Sequence, residues 1–152
     1  MKDCQSGVNK RKLRQAMKEK RNETDESFRQ EASAVIEDKI VKMEQYKSAT
    51  IMMFYMTHGS EVKTENIIRR ALKENKTVVL PSVVSKSDRK ISAVQVKDID
   101  SDIVVGSYGI REPKPGNKEI DKNKIDLVFV PGVVFDEEGF RIGYGKGFYD
   151  KC

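Results

Sequence analysis

The chain of 152 residues has no tryptophan, one histidine and only two cysteines. Cys4 and Cys152 stand at opposite ends with no repeated spacing, which excludes a disulfide framework and a zinc site of ordinary ligand spacing. The lone histidine, His58, is assigned no role. No stretch approaches the roughly 18–20 apolar residues that a membrane span requires. The start, Met1 to Gly7, is polar and lacks the apolar core of a signal peptide. A reducing cytoplasm is the compartment expected. What the chain does have is charge: 35% of residues are charged, and the net charge is +5. That balance favours anionic partners without choosing among a nucleotide, a carboxylate-rich cofactor and nucleic acid.

The length suits one domain, residues 1–152, with a sizeable core. Val8 to Arg21 reads as a basic helix with a narrow apolar stripe of Leu13, Ala16 and Met17. Thr24 is placed to cap a second helix, with Phe28, Ala32, Val35, Ile36, Ile40 and Met43 along one face. Ala49 to Met56 is a short continuous apolar run, the pattern of a strand buried on both faces. Thr64 is placed to cap a third helix, in which Ile67, Ile68, Ala71 and Leu72 face the sheet and which Asn75 and Lys76 end. Thr77 to Val84 is strand-like despite Pro81, and Lys90 to Val96 reads as a more exposed strand. Asp98 to Asn123 is expected to be mostly loop, and Ile125 to Val130 a last strand. Helices alternating with strands predict an α/β fold. The expectation is a mainly parallel sheet with flanking helices in a three-layer sandwich, its ligands gathered beyond the carboxyl ends of the strands.

The chemistry concentrates in the last stretch, where a strand runs into Arg141-Ile142-Gly143-Tyr144-Gly145-Lys146-Gly147-Phe148-Tyr149-Asp150. This is not a P-loop, because Phe140 stands where the first glycine is required and Gly147 replaces the hydroxyl residue. Nor is it a dinucleotide fingerprint, because Phe148 occupies the third glycine position. Successive glycines nevertheless form a backbone nest for phosphate oxygens, and a short helix after them would aim its N-terminus at the same anion. Arg141 and Lys146 add charge, and Asp150 suits a magnesium ion bridging phosphates. The plain alternatives are a connecting turn and, for Asp150, a helix cap. Lys10 and Arg14, spaced i, i+4, lie on one helical face, which Lys18 would continue as an ordinary solvated basic surface.

Pro131-Gly132-Val133-Val134-Phe135-Asp136, Gly139 and the run from Arg141 to Asp150 together resemble the signature of the 5-formyltetrahydrofolate cyclo-ligase family. Three further segments are similar to that family in order: Lys10 to Arg14, Phe54-Tyr55-Met56 with Glu61 and Thr64-Glu65, and Tyr108 to Pro113. The resemblance covers about residues 10 to 150. It implies transfer of the ATP γ-phosphoryl group to the formyl oxygen of 5-formyltetrahydrofolate, with closure to 5,10-methenyltetrahydrofolate. It also implies residue roles. Lys10, Arg14, Arg141, Gly143, Gly145, Lys146, Gly147, Phe148 and Tyr149 would hold ATP. Met56, Glu61, Tyr108, Tyr144, Gly145, Lys146, Gly147 and Phe148 would hold the folate. Lys146 and Arg141 would be catalytic, and Asp150 would bind Mg2+. For Met56 and Tyr108 the alternatives are a core side chain and a loop anchor.

Family members continue past the Tyr-Asp pair with a further strand, a helix and a second aspartate near the magnesium, whereas this chain stops at Cys152. The expectation is therefore a domain missing those elements, with an exposed sheet edge, existing as a monomer or weak homodimer. Two other readings stay open: a non-catalytic nucleotide- or folate-binding remnant, and a small RNA-binding module built on the basic N-terminal helix. The absence of an aromatic-rich platform for single strands argues against the last.

Overall fold

The computed structural model describes residues 3–85, 87–106 and 109–149, and the side chains from residue 9 onward. The described residues form four α-helices: α1 (Asp3–Asn22), α2 (Glu26–Lys42), α3 (Glu44–Ser48) and α4 (Glu65–Lys73). A five-stranded sheet is formed by β1 (Ile51–Met53), β2 (Thr77–Ser85), β3 (Lys90–Val96), β6 (Glu119–Ile120) and β7 (Leu127–Val128), in the order β6-β3-β2-β1-β7. Its core is parallel: β1 pairs with β2 on one side and β7 on the other, while β3 and β6 add antiparallel. Two small hairpins lie outside it, β4 (Ile103–Val105) with β5 (Arg111–Pro113), and β8 (Val134–Phe135) with β9 (Arg141–Ile142). The α/β fold is as expected.

The apolar run at β1 is buried because strands flank it on both sides and protein covers both its faces. Met52, Phe54, Val78, Leu80 and Val96 face α4, which contributes Ile67, Ile68 and Ala71, with Tyr46 of α3 and partly buried Ile40 and Val41 of α2. On the opposite face Met53, Val79, Ile91 and Ala93 form a second cluster, against which Phe148 and Tyr149 pack. The Phe54 and Phe129 rings stack at 4.4 Å, 6° from parallel. Asp126 ties β7 to β1, its Oδ2 accepting the Thr50 and Ile51 amides at 2.8 Å each, and these bonds hold its carboxyl below the usual range.

Several local expectations are corrected. The cap of α2 is Asp25, which accepts the Ser27 amide at 2.8 Å, and Thr24 instead donates to the Lys20 carbonyl. Thr64 precedes α4, but its hydroxyl donates to the Tyr55 carbonyl (2.7 Å) and caps nothing. Asn75, in the left-handed region at φ 60°, ends α4 as expected. β3 is buried, not exposed, because β6 emerges from the segment read as loop and covers its outer edge. That segment also holds β4 and β5, and the last strand shrinks to Leu127–Val128. α2 faces the body through Ser33, Ile40 and Val41, so Phe28, Val35, Ile36 and Met43 are left exposed. The Ser33 hydroxyl accepts the Lys63 amide at 3.0 Å, which fixes that orientation.

Two substitutions separate these faces. Ile68→Ala, at a fully buried site, should cost about 2–5 kcal/mol by loss of transfer energy and the cavity left behind. Val35→Ser, at 55% exposure, should stay within about 0.5 kcal/mol. Urea unfolding of both variants checks the assignment.

Candidate active site

The parallel strands end beneath a cavity of about 720 Å³ whose lining brings α1 over the C-terminal glycine segment. Pro81, Val83 and Ile91 form an apolar wall, because β2 runs on beyond Val79, the register partner of the last residue of β1. The opposite wall is cationic. Lys10, Arg14, Lys18 and Arg21, spaced 4, 4 and 3 residues apart, follow one face of α1 into the cavity. The continuation through Lys18 is thus not a solvated surface. The stripe expected to hold this helix does not do so, since Leu13 is 41% exposed.

The cations hold the helix in place. Arg14 Nε donates to the Gly143 carbonyl at 2.7 Å. Arg21 spreads its fork over three segments: Nε to Ser60 Oγ at 3.0 Å, Nη1 to the Gly132 carbonyl at 3.3 Å, and Nη2 to the Tyr144 hydroxyl at 2.8 Å. Lys18 Nζ sits 5.5 Å and the Arg21 guanidinium 5.8 Å from the centre of the Tyr144 ring, within cation–π range. Hydrogen bonds involving a charged group contribute about 1.5–3 kcal/mol each. Exposed i, i+4 pairs such as Lys42–Asp38 contribute about 0.3–0.5. The former therefore decide where α1 sits.

The glycine segment is shaped by backbone that side chains disfavour. Gly145 and Gly147 take φ +84° and +66°. A Cβ on Gly145 would lie 3.3 Å from the Arg14 guanidinium, and one on Gly143 would lie 2.7 Å from Arg141 Nη1. The glycines thus let two guanidinium groups close on bare main chain, which is the geometry for gripping a polyanion. Arg141, Lys146, Phe148 and Tyr149 complete that side of the cavity. The short helix expected after the glycines falls at and beyond the end of the described residues.

On the far side, Met56 and Glu61 are 4% and 8% exposed and both line the cavity. Met56 also belongs to the core cluster, so the core reading of it holds, and it faces the cavity as well. Glu61 Oε2 accepts the His58 amide at 2.8 Å. Burial first, and that carboxylate second, push the Tyr144 phenol up to about 12, so it stays a neutral donor at ordinary pH. Burial and the Glu61 charge also raise the Tyr55 phenol. Beside this lies a second polar knot: Thr57 Oγ1 donates to Glu65 (3.1 Å), which also pairs with Arg111 of β5. Burial would raise the Glu65 carboxyl, but the hydrogen bonds from Arg111 and the backbone outweigh it and lower it.

The structure therefore gathers Lys10, Arg14, Met56, Glu61, Arg141, Gly143, Tyr144, Gly145, Lys146, Gly147, Phe148 and Tyr149 into one cavity. Tyr108 and Asp150 lie outside the described residues. Sequence reasoning missed Arg21, Ser60, Tyr55 and Arg111. For Arg21 a signal was present, since it continues the Lys10, Arg14, Lys18 face by one more turn. Among the described residues no three His, Cys, Asp or Glu side chains gather to hold a metal ion, and no helix is long and apolar enough to cross a membrane.

A parallel-cored α/β domain with a cationic helix clamped over a glycine nest has the form of a domain that seats an anion. Comparison with known proteins gives the particular kind. Residues 6–152 match the model of the 5-formyltetrahydrofolate cyclo-ligase family, and the chain belongs to that family. It is 29% identical over 93% of its length to a probable 5-formyltetrahydrofolate cyclo-ligase of Caenorhabditis elegans, spanning 71% of that protein. A counterpart in Schizosaccharomyces pombe is 32% identical over 73% of this chain, which spans 55% of that protein. The solution structure of an Aquifex aeolicus 5,10-methenyltetrahydrofolate synthetase superposes with a TM-score of 0.82 at 30% identity, covering 93% of this chain and 70% of that one.

The nest makes a direct prediction. Gly145→Ala must hold a side chain at φ +84° and push against Arg14, a backbone cost of about 1–2 kcal/mol. Binding of inorganic tripolyphosphate, followed by calorimetry, should weaken by about tenfold, which corresponds to 1.4 kcal/mol.

Proposed function

We propose that this chain carries out, or forms the substrate-binding part of, the ATP-dependent conversion of 5-formyltetrahydrofolate to 5,10-methenyltetrahydrofolate, with release of ADP and phosphate. The observation that carries this is the single cavity with two unlike ends. One is a bare glycine nest under Arg14 and beside Arg141 and Lys146; the other holds buried Glu61 and Met56. The first suits a triphosphate. The second suits a ring with a polar edge, because a carboxylate has about four acceptor positions and Glu61 retains some for ligand N–H groups.

In the reaction the formyl oxygen, enriched in charge by amide resonance, attacks the γ-phosphorus, and the bond to the β-phosphate oxygen breaks to release ADP. The oxygen, otherwise a poor leaving group, now departs as phosphate once the N-10 nitrogen has attacked the formyl carbon. N-10 gives up its proton, and the positive charge is shared between the two nitrogens of the closed ring. Little covalent work falls to the protein, so its contribution is alignment and charge neutralisation. Lys10 and Arg14 would hold the outer phosphates, and Arg141 and Lys146 would stabilise charge on the group in flight. Phe148 and Tyr149 would support the nucleotide from the sheet side. Tyr144 would bound the folate, whose rings would lie against Met56 and, by family resemblance, Tyr108.

Magnesium would neutralise phosphate charge when bound. It is commonly held by one or two carboxylates together with phosphates and waters. Asp150 is the ligand we propose. The RNA-binding reading loses its main support, since four cations of α1 line the cavity.

The test is the rise in absorbance of the methenyl product from 5-formyltetrahydrofolate, ATP and magnesium. Lys146→Met should lower kcat by roughly 10²–10³, the scale of losing one transition-state charge contact, with an unchanged melting midpoint. Near-wild-type turnover would remove Lys146 from the mechanism. ATP and folate binding without product would favour the non-catalytic reading.

A further inference from the structure

Arg21 is hydrogen-bonded to three separate loops of the cavity. It lies at the last turn of α1, about two turns beyond Arg14, which contacts the glycine nest. Its Nη2 donates to the Tyr144 hydroxyl, within the nest segment itself. Its Nε donates to Ser60, whose hydroxyl donates to Asn22 at the end of α1. Ser60 adjoins Glu61, whose carboxylate accepts the His58 amide and so closes the 58–61 turn. The planar fork fixes all three directions at once, which an ammonium cannot do.

Tyr144 is thus held by Arg21 through its hydroxyl and by Lys18 through its ring. It belongs to a segment whose glycines at 145 and 147 occupy positive φ and can therefore change shape readily. An anion seated in the nest must settle that segment and, with it, the Tyr144 hydroxyl. Arg21, which holds that hydroxyl with Nη2 and Ser60 with Nε, ties its position to the turn that presents the Glu61 carboxylate.

We propose that Arg21 and Tyr144 form a positioning relay that couples the two ligands, so that bound nucleotide raises the affinity for the reduced folate and the reverse by the same factor. This rests on the assignment of ATP to the nest and of folate to the Glu61 end. Arg21 is a positioning residue here and contacts neither ligand's reacting atoms. The benefit is ordered use of ATP: the cavity aligns its second ligand best when the first is in place.

The experiment is a thermodynamic cycle by calorimetry, using a non-hydrolysable ATP analogue and 5-formyltetrahydrofolate, each titrated alone and in the presence of the other. The wild-type protein should show positive coupling of roughly 5- to 150-fold, the ordinary range for linked sites. Tyr144→Phe keeps the ring and removes the hydroxyl, and should bring the coupling factor to within twofold of one. Arg21→Met should do the same, and Arg21→Lys should restore little of it. Because the factor is a ratio, it does not depend on how far either affinity falls by itself, and a melting curve of each variant accompanies the cycle. Wild-type protein that binds both ligands without coupling overturns the relay alone, as does coupling that survives in Tyr144→Phe. Wild-type protein that binds neither ligand overturns the site assignment and the relay together.

Discussion

The structure depends on one contact made across 129 residues of chain: the Arg14 guanidinium donating to the main chain of Gly143, backed by Arg21 on Gly132 and Tyr144. α1 has too little apolar surface to dock by burial. It docks by charge on carbonyl oxygen and aromatic face. The same choice builds the site, since cations that hold a helix against bare backbone still have donors left to offer an anion. A side chain at Gly145 would press on the Arg14 guanidinium, and one at Gly143 on that of Arg141. Stability of the clamp and affinity for phosphate are therefore two readouts of one arrangement.

Two further constraints place this clamp. The parallel pairing of β1 with β2 and β7 aims the ends of all three strands at the same side, and Asp126 pins β7 to β1 through two amides. β2 then overshoots β1, so Pro81 and Val83 stand above the strand ends as an apolar wall. Polyanion and flat ring can share one space because the walls differ in kind. Glu61 is buried at the end away from the glycine nest, its carboxylate accepting the His58 amide.

What was legible in the sequence follows from range of interaction. Arg141 to Tyr149 could be read because its glycines and cations act on one another within a few residues. The buried strand at Met52 and Met53 could be read because continuous apolar character reports burial on both faces. β3 was misjudged because its burial is set by β6, whose two residues carry no strand pattern of their own. The apolar face of α2 was misjudged because a hydroxyl, Ser33, fixes the orientation of that helix against the Lys63 amide. Arg21 was named only as part of a basic stretch, although its spacing already placed it with Arg14; its three partners are distant in sequence and could not be. Asp126 is a comparable case, a single carboxylate whose two amide partners lie 75 and 76 residues away.

The most direct measurement is amide hydrogen exchange of the chain with and without ATP, read on α1 and on residues 143–149. The clamp predicts that α1 is already protected without ligand along Arg14 to Arg21, and that ATP slows exchange in both segments together. An α1 that exchanges like an isolated helix, or ATP protection that leaves the glycine segment untouched, would contradict it.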